Sequence, residues 1–362
     1  MTTDLRWSEE QQELASMMGT LLAKHSDSGA VRSAAESSCG YDEKLWALLC
    51  DQVGVASLGI PEQYDGAGFG FLETAVVLEQ LGYALAPAPL LSGVLASEAL
   101  LRAGDDEVCA RLLPGIAAGS VATLAWSGVR GMADAPITVS AEDDRLTGTV
   151  PDVLDGDTAE VLLVVASTED GTGLYEVPLD ADMLTRTHTP AMDLTLRLAT
   201  VQLEQVPCRR IGGDVTDALR EVHAVGCAAV SALQVGVAQR ALDMTVSYSK
   251  EREQFGRPIG SFQALKHRMA DMLVLVETAR SAAMDAAFAV ASGHEHLLRR
   301  TSVAKAWCSE ALSQVASETI QLHGGIAITW EHDAHLVFKR AHALGQLFGA
   351  PHLHRRAVLS SG

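Results

Sequence analysis

Aromatic residues are scarce in this sequence: Phe, Trp and Tyr together make up 5% of 362 residues, whereas apolar residues make up 48%. Ala and Leu supply much of the apolar content, and both favour helix over strand. Charged residues amount to 20%, which is typical of a well-packed globular protein. A chain of this length is too long for one ordinary core and predicts two or three domains.

The cysteine patterns of metal and redox sites are absent. The six cysteines are scattered, and no two have the C-x-x-C spacing of a zinc knuckle or a redox pair. Scattered thiols, and a start without a charged-then-apolar leader, predict a protein of the reducing cytoplasm. No stretch reaches the ~20 uncharged apolar residues that span a bilayer, so we expect no membrane segment.

Positive charge is scarce in the first 208 residues. The net charge of the whole chain is -19. Residues 209–362 contain 17 Lys and Arg against 14 Asp and Glu, a net charge of +3, which leaves -22 for residues 1–208. So acidic a surface would repel the phosphates of nucleic acid, and we expect no nucleic-acid partner. The near-neutral remainder, with its local Arg clusters, can receive a small phosphate ligand.

The residue pattern predicts three domains: residues 1–118, 119–208 and 209–362. The first is mostly helical, and it opens with a capping-box pattern at Ser8 and Gln11. The second holds short β-favouring runs separated by acidic and Gly turns, which predict a small β-barrel or sandwich. The third is rich in Ala, with four long helical stretches that predict an antiparallel bundle.

Particular helices and strands follow from the same pattern. Apolar residues at three- and four-residue spacing predict helices, and short β-branched runs predict strands. The predicted helices are 45–58, 73–85, 91–103, 214–250, 262–293, 294–324 and 331–348. The predicted strands include 136–139, 161–165 and 199–203. The basic tail around His352, His354, Arg355 and Arg356 fits either a solvated end or a phosphate contact.

Two segments of the third domain combine glycine turns with groups that bind phosphates. Arg252 and Arg257 flank Phe255 in a Gly-bounded turn; arginine can clamp a phosphate bidentately, and phenylalanine offers a face to a ring. Near the end of another helix, the run QLHGG from Gln321 to Gly325 lets a ligand approach the backbone closely. Both segments are also ordinary ways to end a helix, so composition alone leaves the two interpretations open.

The two segments closely resemble the two sequence signatures of the acyl-CoA dehydrogenase family. The Gly/Pro loop at residues 59–68 and the helix through residues 78–82 also resemble that family, in the same order along nearly the whole chain. The first signature is matched by Tyr248, Arg252, Gln254, Phe255, Gly256, Pro258, Ile259, Phe262, Gln263, Lys266, His267, Ala270, Asp271 and Met272. The second is matched by Gln321, Gly324, Gly325 and the residues from Thr329 to His335.

The resemblance implies a mainly helical α+β fold: an N-terminal helical domain, a middle β-barrel and a C-terminal four-helix bundle, assembled as a dimer of dimers. It also implies α,β-dehydrogenation of an acyl-CoA thioester, in which a Glu carboxylate removes the α-proton while FAD takes a hydride from the β-carbon. In such proteins the two signatures reach across a dimer interface to a FAD that the neighbouring subunit binds mainly. Carried over, these cofactor-binding residues are Arg252, Gln254, Phe255, Gln263, Gln321, Gly324 and Gly325.

The sequence departs from the family where the catalytic carboxylate belongs. The family places this Glu in one of two positions, which correspond here to Phe348 and Gly226. Neither side chain can accept a proton. A shift of one residue does not help, because no Asp or Glu occurs in residues 334–362 or 222–242. The resemblance therefore implies a chain without a catalytic residue of its own.

The middle domain departs from the family as well. Its loop against the flavin corresponds to residues 125–134, and its Trp-Ile-Thr-like strand corresponds to residues 152–154. Most hydroxyl and aromatic contacts expected of these stretches are missing. The Thr and Gln that follow the catalytic Glu correspond to Ala350 and His352. The chain thus keeps the half of a flavin site that it would lend and loses the half that it would own.

The leading interpretation is the smaller, non-catalytic subunit of an actinobacterial α2β2 acyl-CoA dehydrogenase, of the kind associated with steroid side chains such as that of cholesterol. Its partner would be a larger catalytic subunit that holds FAD and most of the acyl-CoA. One alternative is a self-sufficient homotetramer with a displaced base, Glu221 or Asp243. Another is a flavin-free scaffold of the same fold. His332 and His335 lie at helical spacing, but E-H-x-x-H is not the zinc pattern H-E-x-x-H, and we expect no metal site.

Overall fold

The structure, a computed structural model, describes residues 6–360, with helices at both ends of that range and strands in the middle. The first group of helices is α1 (Glu9–His25), α2 (Ser28–Ala35), α3 (Glu43–Val53), α4 (Phe71–Ala84), α5 (Leu90–Ala103) and α6 (Asp106–Ala117). The last group is α7 (Thr216–Glu251), α8 (Gln263–Ala291), α9 (Leu297–His323), α10 (Ala334–Gln346) and α11 (Pro351–Ser360). The predicted mainly helical fold class with a β domain in the middle is confirmed.

The capping box predicted for the first helix is confirmed. The Ser8 hydroxyl accepts a hydrogen bond from the Gln11 N–H at 3.2 Å, and the Gln11 side chain accepts one from the Ser8 N–H at 3.0 Å. The second predicted helix, 45–58, was wrong at both ends. It starts at Glu43 behind an Asp cap and stops at Val53, because Gly54 takes a left-handed conformation with φ of 72°.

The middle of the chain forms an eight-stranded mixed sheet. Its strands are β1 (Ala122–Ala125), β2 (Val139–Glu142), β3 (Arg145–Leu154), β4 (Val161–Thr168), β5 (Gly171–Val177), β6 (Leu184–His188), β7 (Leu198–Pro207) and β8 (Arg209–Ile211). The order across the sheet is β6-β7-β3-β2-β4-β5-β8, and β1 pairs with β4 in parallel. The run predicted as strand 136–139 is strand only from Val139 onward, since the ladder with β3 begins there.

Strand β4 is buried on both faces, which explains its unbroken apolar run. Leu162 and Val164 belong to a core within the sheet domain, whereas Leu163 and Val165 belong to the main core shared with the helices. The main core also includes residues from α1 through α10. Because this one core crosses all three predicted domains, their boundaries at 118 and 208 stay a prediction.

The C-terminal helices pack around α9, which contacts α7, α8, α10 and α11. The predicted helix 331–348 is present as α10, within three residues of its predicted ends. The basic tail forms α11, in which His354 is fully buried whereas His352, Arg355 and Arg356 are exposed. Sequence periodicity missed this helix because its ten residues present few apolar side chains.

Helices α4 and α7 approach each other through glycines. A side chain at Gly82 would collide with the Leu233 carbonyl, and one at Gly236 would collide with the Glu79 carbonyl. By length and composition alone, α7 is the one described helix apolar enough to cross a membrane, but 94% of its apolar window is buried in the protein. A core helix of a globular protein passes the same test.

Candidate functional site

The first predicted ligand segment is a hairpin at the end of α7. Strands β9 (Glu253–Gln254) and β10 (Arg257–Pro258) pair antiparallel around a two-residue turn. Phe255 and Gly256 in that turn have φ of 55° and 73°, as in a type I′ turn, which normally carries Asn-Gly. Phe255 is 92% exposed. A bulky apolar residue held in a strained conformation in solvent suggests function, because its edge-on contact with the Phe262 ring, with centroids 6.1 Å apart, offsets little of that cost.

The backbone of this hairpin is fixed by hydrogen bonds, whereas the Arg252 side chain is not. The Arg252 N–H donates to the Tyr248 carbonyl at 2.9 Å, and the Arg252 carbonyl accepts from the Ile259 N–H at 2.8 Å. Within residues 6–360 the Arg252 guanidinium has no ion-pair or hydrogen-bond partner. The side-chain amide of Gln254 bonds only to the adjacent Glu253 carbonyl. A free guanidinium on an anchored backbone can receive an anion from another molecule.

The second predicted segment ends α9 and opens a 3-10 turn, Gly324–Ile328. Gly324 has φ of 65° and ψ of -143°, and its N–H donates to the Ile320 carbonyl. A residue with a Cβ atom rarely adopts this conformation, which accounts for glycine there. Gln321, Gly324 and Gly325 are all exposed.

The two segments lie at the same end of the helical bundle. The rings of Tyr248 and His323 stack with centroids 4.5 Å apart, and one turn earlier the Thr245 and Thr319 hydroxyls are 3.1 Å apart. Gln263, at the start of α8, follows the hairpin closely. All seven residues predicted to bind FAD are exposed: Arg252, Gln254, Phe255, Gln263, Gln321, Gly324 and Gly325.

The two positions predicted for a catalytic carboxylate meet each other inside the protein. Phe348, just after α10, is fully buried. A Cβ atom placed on Gly226 would lie 2.5 Å from the nearest carbon of the Phe348 ring. The ring therefore occupies the space that a side chain on this part of α7 would need.

The loop that carries Phe348 is sealed against the sheet domain. The Phe348 N–H donates to the Val129 carbonyl at 2.8 Å. His354 donates from Nε2 to the Phe348 carbonyl at 2.7 Å, and His223 donates from Nε2 to the Gly131 carbonyl at 3.0 Å. Burial lowers the pKa of His354 to about 4 and also lowers the pKa of His223. Both imidazoles are therefore neutral at pH 7.

A buried lysine also holds the loop that carries Phe348. Lys305 is fully buried, and its ammonium donates to the Ser309 hydroxyl at 2.9 Å. It also donates to the carbonyls of Gly345 at 3.1 Å and Gly349 at 3.2 Å, on either side of Phe348. Burial lowers the pKa of Lys305 to about 8. Here the ammonium satisfies carbonyls that the end of α10 would otherwise leave without donors.

Comparison with protein-family models decides the family. The model of the acyl-CoA dehydrogenase N-terminal domain matches residues 8–120, and the model of the C-terminal domain matches residues 218–361. Acyl-CoA dehydrogenase IpdE2 of Mycolicibacterium smegmatis is 42% identical over 346 residues, 95% of this chain and 96% of that protein. The chain belongs to the acyl-CoA dehydrogenase family. The resemblance inferred from the two signatures is confirmed.

Solved structures match nearly the whole chain. The ChsE4-ChsE5 complex from Mycobacterium tuberculosis aligns with a TM-score of 0.90 at 31% identity, covering 99% of this chain and 98% of that one. A structure described as the Tcur3481-Tcur3483 steroid ACAD aligns with a TM-score of 0.87 at 32% identity, covering 97% of each chain. The three-layer order of helices, sheet and helices is thus that of the family.

The acyl-CoA dehydrogenase models leave residues 121–217 between them, where the sheet and the altered loops lie. Trp126 is only 2% exposed, and its ring packs edge-on against His223 at 6.2 Å. At the end of β3, Val153 and Leu154 are buried, and Asp152 pairs with Arg130 at 3.2 Å. These stretches contribute buried residues to the protein core, where the cleft between the sheet and the bundle is expected.

The alternative bases lie outside this cleft. Glu221 is a half-exposed partner of Arg102 on the surface. Asp243 accepts hydrogen bonds from the Tyr83 hydroxyl at 3.1 Å and the Gln239 amide at 2.9 Å. Asp243 also lies 17 residues beyond Gly226 on α7, roughly 25 Å along the helix axis. Neither carboxylate reaches the space that Phe348 fills.

The histidines considered for a metal contribute to other contacts. His332 packs against His323 with ring centroids 4.5 Å apart, and His335 packs against Trp330 at 4.7 Å. In the described range 6–360, no group of three or more His, Cys, Asp or Glu side chains is arranged to hold a metal ion.

Sequence reasoning missed Lys305, and it did not predict that the rings of Tyr248, His323 and His332 meet. The signal for Lys305 was present: Thr301, Ala304, Lys305, Cys308 and Leu312 recur at three- and four-residue spacing, and all are buried. A lysine in such a stripe is a candidate buried cation. Only the three-dimensional structure brings the three rings together, because they lie on three different elements.

Proposed function

We propose that this chain is the non-catalytic subunit of a heteromeric acyl-CoA dehydrogenase, in which it completes the FAD site of a larger catalytic partner. The observation that carries the proposal is a contrast within the chain. The two positions where a catalytic Glu is expected, Phe348 and Gly226, are packed against each other. The residues expected to reach a neighbour's FAD are exposed, and the Arg252 guanidinium is unpaired.

The exposed residues fit the phosphate and adenosine end of FAD. The Arg252 guanidinium can pair with a phosphate oxygen, and the Gln254, Gln263 and Gln321 amides can both donate and accept hydrogen bonds. Gly324 and Gly325 leave their backbone open to close approach, and Phe255 offers an apolar face. When bound, FAD supplies the hydride acceptor of the α,β-dehydrogenation of an acyl-CoA. This chain's own residues contribute phosphate binding, placement and exclusion of water.

Phe348 and Trp126 are buried where the sheet domain meets α7, and the Phe348 N–H donates to the Val129 carbonyl. This packing supports the absence of a flavin ring from this chain's own half of the site. We therefore propose that flavin is bound only where this chain meets its partner, as one FAD for every two chains of an α2β2 assembly.

Substrate and setting are proposed from the relatives. The ChsE4-ChsE5 complex contains two named chains, and the Tcur3481-Tcur3483 protein is described as a steroid acyl-CoA dehydrogenase. Their likeness to this chain supports a heteromeric partner and an acyl-CoA substrate with a steroid side chain, bound mainly by the partner. The acidic front half supports the absence of nucleic-acid partners. Six free cysteines are compatible with a cytoplasmic location.

Co-expression tests the proposal against both alternatives. The chain is produced alone and together with the larger acyl-CoA dehydrogenase chain that we expect to be encoded beside it, and FAD content and turnover are measured. One FAD per two chains, with turnover only in the pair, is the expected result. One FAD per chain with turnover in isolation would establish a self-sufficient homotetramer instead. A stable flavin-free homomer that ignores the partner would establish a scaffold.

A further inference from the structure

The residues proposed to hold the partner's FAD lie on separate elements that three aromatic rings join. These rings are Tyr248, His323 and His332, called here the ring cluster. Tyr248 and His323 are stacked with an interplanar angle of 25° and centroids 4.5 Å apart. His332 lies 4.5 Å from His323 and 6.1 Å from Tyr248. Each ring thus contacts both others.

Each of the three residues that carry these rings belongs to a different part of the exposed site. The Tyr248 carbonyl receives the N–H of Arg252 and so fixes the start of the hairpin. His323 lies between Gln321 and Gly324 on the second segment. His332 closes the loop that follows that segment, where its Nδ1 accepts the N–H of Ala334 at 3.2 Å. A shift of one ring would therefore move one group of FAD-binding residues relative to the others.

The central ring is held in one orientation. His323 is 3% exposed, and its Nδ1 donates to the Thr319 carbonyl at 2.8 Å. The Thr319 hydroxyl lies 3.1 Å from that of Thr245, one turn before Tyr248. The outer nitrogen of His323, Nε2, is buried without a hydrogen-bond partner. The bond from Nδ1 and the burial of the ring therefore hold His323 in one position within the stack.

On the basis of the function proposed above, we propose that the ring cluster sets the spacing between Arg252 and Gln321, so that both reach one FAD molecule. Tyr248, His323 and His332 are then positioning residues, which act through Arg252 and Gln321 without touching the cofactor. Two half-sites on separate helices need such a connection, because a displacement of about 1 Å is enough to weaken a multi-point site.

The test compares two substitutions of the central ring in the complex with the catalytic partner. His323→Ala removes both ring contacts, and the dissociation constant of FAD, measured by fluorescence of the released flavin, should rise roughly tenfold. His323→Phe keeps the rings stacked and should restore FAD binding to within about threefold of the original. Equal weakening by both variants would overturn the proposal, since the ring itself would then be irrelevant.

A matched control separates positioning from general loss of stability. Phe288 stacks on Trp7 with centroids 6.5 Å apart, at the far end of α8, roughly 37 Å from Gln263 along the helix. Phe288→Ala should lower the melting temperature of the isolated chain without weakening FAD binding in the complex. If Phe288→Ala weakens FAD binding as much as His323→Ala, the effect is one of stability and the proposal is wrong.

A double-variant cycle identifies the route of action. If His323 acts through Arg252, then His323→Ala should cost much less FAD affinity when Arg252→Ala is already present. Fully additive losses would overturn the positioning role. An Arg252→Ala variant that loses FAD while His323→Ala keeps it would refute only this inference. A wild-type complex that contains no FAD would refute the proposed function, and this inference with it.

Discussion

The hairpin at residues 252–258 and the loop around Phe348 differ sharply in how much of their side chains is exposed. The hairpin leaves a phenylalanine 92% exposed and an arginine unpaired, whereas the Phe348 loop leaves almost nothing exposed. Exposure without compensation in folding suggests a binding role, because the folded chain alone does not gain from it. Tight packing at Phe348 and Gly226, the positions predicted for a catalytic Glu, supports the proposal that this part of the site has become core. Comparing the two regions therefore indicates which half of the family's site this chain retains.

The largest expected effect comes from truncating the buried Phe348 side chain. Phe348→Ala should destabilise the isolated chain by about 3–5 kcal/mol, because it leaves a cavity between α7 and the sheet domain. The matched control is Phe338→Ala on α10, where the ring is 43% exposed. Thermal melts of both variants measure the difference. Similar small shifts for both would mean that the Phe348 ring does not close the cleft.

Acid should also lower the stability of the folded chain, through His354 beside the Phe348 loop. Burial holds the pKa of His354 at about 4, below its ordinary value of 6.5. As pH falls through 6.5 toward 4, the unfolded chain binds a proton that the folded chain refuses, so the folded chain should lose up to about 3 kcal/mol. His354→Gln can keep a donor to the Phe348 carbonyl and does not titrate. Urea unfolding at pH 7 and pH 5 should show a smaller loss for this variant; an identical loss would place the acid sensitivity elsewhere.

Removing the unpaired arginine should affect flavin and not folding. In the complex with the catalytic partner, Arg252→Ala should weaken FAD binding by about 1.5–3 kcal/mol, since a charge-assisted phosphate contact is lost. Flavin content after gel filtration measures this. Arg209→Ala provides the control, because Arg209 is an exposed arginine of the sheet domain that pairs with Glu107. Unchanged flavin content in Arg252→Ala would count against the lent site.

The smallest expected effect on stability comes from a substitution in the turn of the hairpin. Phe255→Asn would create the Asn-Gly pair that a type I′ turn prefers, and it should stabilise the isolated chain by roughly 0.5–1 kcal/mol. The same substitution should weaken the complex with FAD, since the exposed apolar face is gone. Melting temperature and flavin content give the two readouts. A loss of stability in the isolated chain would show that Phe255 contributes to folding after all.

Much of the fold could be predicted from the sequence because its long helices have strong local patterns. Helices α4, α5, α7, α8 and α9 lie within three residues of their predicted ends, and the Ser8 capping box forms as expected. The failures have local causes. Gly54 ends α3 early by taking a left-handed conformation, and α11 has too few apolar residues to show a period.

Part of the candidate site could likewise be predicted from the sequence, and part could not. Arg252 and Gln321 were found because their motifs are contiguous in sequence. Lys305 was missed although its apolar helical stripe gave a signal. The ring cluster was missed because Tyr248 and His323 lie 75 residues apart, and no period links residues on different helices.

The sequence by itself determined the family, the order of helices, sheet and helices, and the absence of a carboxylate at Phe348 and Gly226. These follow from residue identity and local spacing, which folding does not alter. Only the tertiary structure decided that those two positions touch, that Lys305 and His354 hold the loop between them, and that the hairpin meets the end of α9. The last of these is a contact between the ends of α7 and α9, where Tyr248 stacks on His323, and the hairpin follows directly after α7. Such contacts join residues far apart in the chain, and their geometry depends on how whole helices pack.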